Sequence, residues 1–270
     1  MAIAALAAAV FGWLFDGRLG WLAAALVGLD WCLLNLWNRI ADLPEDERNG
    51  VAGTALVARH RRALSIAAFS VLGASFLLPL GWPLLALRVG FQLGGLFYSF
   101  RVLGLPRLKE LLLVKNVFSG LLFILSVVGY PLALSAAAPP ALEVLALCAF
   151  FLPLEITYEL IYDLRDVAGD QAEGIRTAPI AFGVPATRSL VWMLIGLSAA
   201  ALLIGFGGGA LRYCELVMIA APLQQALVLR FWIPREVRKE DAIRITWLGA
   251  AQLASYVGWI LLGLPLERPW

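Results

Sequence analysis

Nine apolar runs, each near the ~20 residues a helix needs to cross a bilayer, follow one another along this 270-residue chain. They lie at 2–15, 19–40, 63–80, 82–100, 111–134, 140–162, 187–206, 211–232 and 243–264. Backbone in hydrocarbon must satisfy its own N–H and C=O groups, so runs of this kind fold as helices. The expectation is an all-α polytopic membrane protein with nine transmembrane helices in a single domain, 1–270. Composition agrees. Mean hydropathy is +0.84 and 15% of residues are charged, where a soluble domain carries about a quarter. Tight hairpins are expected at LPLGWP and SAAAPPAL, where proline punctuates the chain. The first run is shorter than a usual crossing. It lacks the basic flank and cleavage site of a signal peptide and reads as a short first membrane helix.

Basic residues orient the helices. Arg18, Arg212 and Arg268 lie in odd-to-even connections on one side and Arg88 lies inside a run. All the others among the 21 Lys and Arg, including Arg48, Arg235 and Lys239, fall on the opposite side. By the positive-inside rule the N-terminus and the long loops are cytoplasmic and the C-terminus is outside, in a plasma or inner membrane. A net charge of +2 is too small to suggest a nucleic-acid partner. His60, in the loop sequence RHRR, cannot build a histidine zinc site alone. Cys32, Cys148 and Cys214 sit in apolar runs without CxxC spacing and read as small buried hydrophobes.

Two charged residues fall inside apolar runs. Asp30 in LVGLDWCLLN and Arg88 in LLALRVGFQLGG would each cost several kcal/mol unpaired in the bilayer. They are expected to pair with each other and to hold the second run against the fourth.

Two acidic stretches carry the chemistry. In YELIYDLRDVAGDQAEGIRT, Asp163, Asp166 and Asp170 follow directly on an apolar helix and repel one another unless a cation neutralises them. Mg²⁺ takes few carboxylates and completes its shell with water and substrate phosphate, although a solvated turn is the plain alternative. In NLWNRIADLPEDERNG, Asn35, Asn38, Asp42 and Asp46 fall along one stripe if the helix continues past Arg39. Pro44 ends, bends or restarts it. This is a second plausible Mg²⁺ site, with ordinary capping as its alternative. Between the two, YSFRVLGLPRLKELLLVKN sets Arg101, Arg107, Lys109 and Lys115 among apolar residues, as a metal–diphosphate complex would need.

The combination resembles the UbiA superfamily of intramembrane prenyltransferases over nearly the whole chain. DLRDVAGDQAEGIRTAPIAFG is similar to that family's DxxxD segment and its G-[IV]-[KR]-[ST]-x-P-x-x-x-G tail, with Asp166 and Asp170 at the DxxxD positions. YSFRVLGLPRLKELLLVKN resembles YSxPPLRLKxxxxxKN, which gives Lys109, Lys115 and Asn116 positions associated with diphosphate binding. The earlier motif reads NRxxDxxxD instead of NDxxDxxxD: Asn38, Asp42 and Asp46 remain, and Arg39 replaces an aspartate. The resemblance implies a UbiA-like bundle with two Asp-rich cytoplasmic loops. It also implies Mg²⁺ held by Asn38, Asp42, Asp46, Asp166 and Asp170 with Asp163 auxiliary, and prenyl transfer from a prenyl diphosphate to a hydrophobic acceptor. Asp42, Asp46, Asp166, Asp170 and Lys109 would be the catalytic set. Arg39, Arg101, Lys115 and Asn116 would bind the diphosphate. Phe97, Tyr98, Phe118, Tyr158 and Tyr162 would shield the allylic cation. The isoprenoid tail would lie among the helices and enter from membrane lipid. A terpene cyclase of the same superfamily, or a transporter or scaffold, are the competing expectations.

Overall fold

The computed structural model describes residues 1–48, 51–233 and 236–263, apart from the side chains of Arg48, Glu173 and Lys239. Arg235, Arg268 and the end of the last apolar run lie outside the described residues. No strand occurs among the described residues; the fold is all-α. Helices α1 (Ala2–Asp16), α2 (Trp21–Ala41), α3 (Leu43–Arg48), α4 (Thr54–Phe76) and α5 (Trp82–Ser99) build the first half. After a 3₁₀ turn at Leu108–Glu110 come α6 (Val114–Val127), α7 (Gly129–Leu134), α8 (Ala141–Glu173), α9 (Ala178–Phe182) and α10 (Val184–Gly207). The chain ends with α11 (Tyr213–Leu216), α12 (Ala220–Leu227) and α13 (Lys239–Leu261).

Four stretches are both long and apolar enough to cross a membrane: Val114–Leu134, Ala141–Ala172, Val184–Gly207 and Tyr213–Trp232, with α1 a shorter apolar helix. The expected count of nine is therefore met only in part. The remaining long helices are diluted by polar residues, Asp30, Asn35 and Asn38 in α2, Arg59–Arg62 in α4, Arg88 and Gln92 in α5. Apolar side chains lie open on the outer faces, Leu77 at 87%, Trp82 at 78% and Ile204 at 73% exposure. That is the surface an integral membrane protein presents to lipid.

Three local expectations are corrected. RHRR is not a loop: α4 starts at Thr54 and carries His60 within it. The second acidic stretch is not a loop either, because α8 runs unbroken for 33 residues through Asp163, Asp166 and Asp170. It stops where Gly174, at φ 70°, takes the left-handed conformation that a glycine adopts without steric cost. Of the cysteines, only Cys214 is buried; Cys148 is half-buried and Cys32 exposed.

Breaks in the other helices have identifiable causes. Pro131 has no N–H to offer Val127, and the helix interrupts at Val128 between α6 and α7. Pro153 is carried within α8, and beside it the hydroxyl of Ser198 from α10 donates to the Phe150 carbonyl at 2.8 Å. Helix α8 is the spine. Its first half packs through Leu147, Phe150 and Leu154 into a core shared with α1, α2, α5 and α6. Its second half packs through Leu160, Ile161 and Leu164 against α10 and α13.

Within the first core, Asp30 and Arg88 meet as expected. Arg88 donates through Nε and Nη2 to the two carboxylate oxygens of Asp30, both at 2.8 Å. Gln92 (3.1 Å) and Tyr130 (2.9 Å) donate to the same carboxylate. Arg88 donates further to the carbonyl and hydroxyl of Ser75 on α4, and its guanidinium lies 4.5 Å from the Phe76 ring centre. One network thus ties α2, α4, α5 and α7 together.

Candidate active site

Helix α2 ends at Asp42, and α3 restarts at once with Pro44 in its first turn, where a missing N–H is harmless. Asp42 therefore sits at a bend between two helices, and its carbonyl already accepts the Asp46 N–H at 2.8 Å. The 3₁₀ turn from the α5–α6 connection packs over it. Lys109 Nζ reaches Asp42 Oδ1 at 2.5 Å, and Arg107 Nη1 reaches the same oxygen at 3.0 Å. Arg107 also donates to Glu45 at 2.8 Å and to Glu110 at 2.7 Å, while Lys109 lies 3.6 Å from Glu45. Arg101, 71% exposed, joins the rim through Glu110 at 3.1 Å. Partial burial pushes both glutamates up. The hydrogen bonds from Arg107, with the charges of Lys109 at Glu45 and of Arg101 at Glu110, more than offset it and hold both below the ordinary value of 4.5.

Helix α6 supplies the next layer. Its N-cap, Leu113, has φ 60°, a left-handed conformation that costs a branched residue roughly 1–2 kcal/mol. The turn it makes delivers Lys115 and Asn116 onto α8. Lys115 Nζ is 2.6 Å and Asn116 Nδ2 2.9 Å from the two oxygens of Asp163, whose side chain has no solvent exposure.

The α8 aspartates belong to a longer stripe. Glu155, Glu159, Asp163, Asp166 and Asp170 fall at steps of four, four, three and four residues and so share one helix face. Glu159 accepts from Ser119 of α6 at 2.9 Å. Asp166 pairs with its neighbour Arg165, which lies over the Tyr162 ring at 5.1 Å. Asp170 lies within electrostatic reach of Lys115, Asp163 and Asp166. Buried oxygens without a close hydrogen bond are Oδ1 of Asn38, Oγ of Ser99, and the neighbouring Oδ2 of Asp170 and Oγ1 of Thr177. Among the described residues no three acidic, histidine or cysteine side chains converge as a ready-made metal cage.

Tyr98 joins the two acidic stretches. It lies within electrostatic reach of Glu159, Lys115, Asp163 and Asp42, and it stacks nearly parallel on Phe118. Beside it is a cavity of about 130 Å³ with Asn35, Asn38, Ser119 and Glu159 in its wall. A second cavity of about 230 Å³ is mostly apolar, with Phe123, Phe150, Phe151, Tyr256 and Trp259 around Glu155 and Tyr158. Phe97 lines a groove on the outer face of α5 and α6. Tyr162 hydrogen-bonds Thr246 of α13. Arg39 turns away towards the α3–α4 connection, donating to the Ala52 carbonyl at 3.0 Å.

The structure thus brings Asn38, Asp42, Tyr98, Lys109, Lys115, Asn116, Asp163, Asp166 and Asp170 to one end of the bundle. It sets Tyr158 deeper and Arg101 at the rim. Glu45, Glu110, Ser119 and Glu159 join this end without having been singled out, and Glu155 lies deeper, in the cavity with Tyr158. The two α8 glutamates were legible in EITYELIYDLRD, since they extend the Asp163 face by steps of four.

A model of the UbiA prenyltransferase family matches residues 1–255. The chain belongs to that family. No curated protein matches this UbiA family member by sequence. Among solved structures, a UbiA homologue from Archaeoglobus fulgidus bound to GPP and Mg²⁺ is 16% identical at TM-score 0.72, covering 96% of this chain and 95% of that one. The apo UbiA homologue from Aeropyrum pernix K1 is 20% identical at TM-score 0.71, covering 95% of this chain and 96% of that one. A digeranylgeranylglyceryl phosphate synthase is 18% identical at TM-score 0.60, covering 97% of this chain and 91% of that one. At these identities the structural likeness speaks for the fold.

The oxygens at this end of the bundle suit a hard divalent cation. They are carboxylates, an amide and hydroxyls, without thiolate or imidazole, and those without a close hydrogen bond include Asp170 Oδ2 and Asn38 Oδ1.

Proposed function

We propose that this UbiA family member, acting as one transmembrane domain, transfers an isoprenoid chain from a prenyl diphosphate to a hydrophobic acceptor with the help of Mg²⁺. The observation that carries the reading is the meeting of cations and carboxylates at one end of the bundle, with a mostly apolar cavity around Tyr158 farther along α8. It is supported by the GPP and Mg²⁺ bound to the Archaeoglobus homologue. Bound Mg²⁺ would neutralise the diphosphate and make it a better leaving group. Asp163, Asp166, Asp170 and Asn38 supply oxygens to hold it, with Asp42 and Asp46 in the facing wall. Lys109 and Lys115 donate hydrogen bonds to diphosphate oxygens, where charge builds as the C–O bond breaks. Tyr98 and Phe118 present ring faces to the carbon side, and Tyr158 lies farther along the path of the tail. The site faces the cytoplasm, where soluble prenyl diphosphates arrive, and tail and acceptor reach it through membrane lipid.

The test is direct. Purified protein with Mg²⁺, labelled prenyl diphosphate and a lipid extract should give a prenylated product, located by mass spectrometry, and Asp170→Asn should not. Full activity in that variant would sink the reading.

The aromatic lining around Tyr158 favours one second reading. A cavity walled by Phe123, Phe150, Phe151 and Trp259 could fold the chain so that its own double bond captures the cation. A cyclic hydrocarbon formed from the prenyl diphosphate alone would establish that reaction and displace the transferase.

A further inference from the structure

The mostly apolar cavity around Tyr158 holds polar groups that its own walls do not pair. Glu155 and Tyr158 of α8 and Gln252 of α13 line it, and none of the three side chains makes a hydrogen bond or ion pair among the described residues. Two contacts fix how these helices lie. Tyr162 hydrogen-bonds Thr246, and the Tyr158 hydroxyl lies so close to Gly249 that a Cβ there would fall 2.8 Å from it. A step back along α8 is thus a step forward along α13, so the helices are antiparallel. One turn further the same register sets Glu155 opposite Gln252, with the cavity between them. The charges within reach of Glu155 are Glu159, which repels it, and the Met1 ammonium. Polar groups inside proteins are nearly always paired, and at membrane depth there is little water to do it. A carboxylate and an amide facing each other unbonded across a gap point to a ligand that supplies the partners.

We propose, resting on the prenyl-transfer reading, that this cavity seats the acceptor, and that Glu155 and Gln252 select an acceptor with a hydroxyl or amine on a ring-sized apolar body. A hydroxyl serves both residues at once, donating to the Glu155 carboxylate and accepting from the Gln252 amide. Size agrees. A cavity of about 150 Å³ takes a benzene, and the ~230 Å³ here takes a ring with substituents. A prenyl tail is hydrocarbon throughout and would leave both groups unpaired, so the Tyr158 ring is a wall that tail and acceptor share. Glu155 precedes Asp163 by eight residues, about 12 Å along the helix. The polar group it reads is therefore at the end of the acceptor away from the diphosphate, and the atom that receives the prenyl chain lies towards Asp163. Glu155 and Gln252 thus set which molecule is prenylated and take no part in breaking the C–O bond.

The experiment reads binding without any reaction. Full-length protein in lipid nanodiscs is irradiated with 4-hydroxybenzophenone or with benzophenone, the same body without the hydroxyl, and the labelled residues are mapped by mass spectrometry. Met218 lines the cavity and reports its occupancy. Referred to concentration in the bilayer, the phenol should label Met218 at about ten- to a hundredfold lower concentration than benzophenone, the scale of a hydrogen bond to a charged group. In Glu155→Leu that preference should vanish while benzophenone labelling holds or rises. A merely structural role would move both probes alike, so the ratio separates the two. Gln252→Leu, on the other helix, should reduce the preference about three- to tenfold and keeps the test open if Glu155→Leu does not fold. Equal labelling by the two probes, or a preference unchanged in both variants, would overturn the proposal. So would loss of the Met218 label on adding geranyl diphosphate with Mg²⁺, since the tail would then occupy the cavity. The probe and variant outcomes use no prenyl diphosphate, so their failure leaves prenyl transfer standing. A protein that keeps the preference but makes no prenylated product would remove the reaction and leave a selective binding site.

Discussion

Asp30 and Asp170 are both carboxylates on apolar helices, and their surroundings are opposite. Asp30 is wholly buried and accepts from Arg88 twice, from Gln92 and from Tyr130. Its partner Arg88 is itself saturated by Ser75. Nothing in that network is left to bind a ligand, and its effect is to join four helices in a medium where an unpaired charge is expensive. Asp170 lies near the end of α8 among other acids, with the Thr177 hydroxyl beside its buried oxygen and no ion pair of its own among the described residues. Such an arrangement stabilises the fold poorly and suits a cation that comes and goes. The degree of saturation, more than the presence of charge, separates a structural acid from a candidate for binding.

Breaking the saturated network should cost stability most. Asp30→Ala leaves the Arg88 guanidinium unpaired in the core and should destabilise by about 3–5 kcal/mol. Thermal unfolding in detergent measures this, and a shift no larger than that of a surface mutation would remove the contrast. Asp170→Asn should behave inversely, with activity falling about 10²–10³-fold, the scale seen for loss of one transition-state contact, and the melting temperature unchanged or raised. A large loss of stability there would show that Asp170 belongs with Asp30. Within the network, Tyr130→Phe removes one donor of four and should cost about 1 kcal/mol in the same unfolding measurement.

The smallest effect should come from pH at the α2–α3 bend. Glu45 and Glu110 titrate below 4.5 in the folded protein because of Arg107. Their contribution is fully present above that value and lost as pH falls through the lowered folded values. Docking of the 3₁₀ turn, followed by a fluorophore on the exposed Leu103 position, should be flat near neutrality and loosen only in acid. Loosening between pH 6 and 8 would contradict the assignment.

Much of this was written locally. Apolar runs dictated helices because lipid offers the backbone no partner, and a lone acid and a lone base inside such runs had to find each other. The DxxxD spacing and the Lys109–Asn116 segment mark the candidate site along the chain. Other features were hidden because they depend on how far a helix persists. The Asp163–Asp170 stretch looked like a loop after an apolar run. Intrinsic polarity does not stop a helix, and α8 continues to Gly174, where the left-handed cap ends it. That continuation turned three acids into part of a five-residue face that includes Glu155 and Glu159.

By itself, then, the sequence determined an all-α membrane protein of the UbiA family and the residue types at its candidate site, since hydropathy and motif spacing are properties of neighbours along the chain. Which carboxylate meets which cation was decided only by tertiary structure. Arg107 and Lys109 reach Asp42 from 65 and 67 residues away, and Lys115 reaches Asp163 from 48. Charge neutralisation acts over a few ångströms in space, and nothing in the order of residues records those distances.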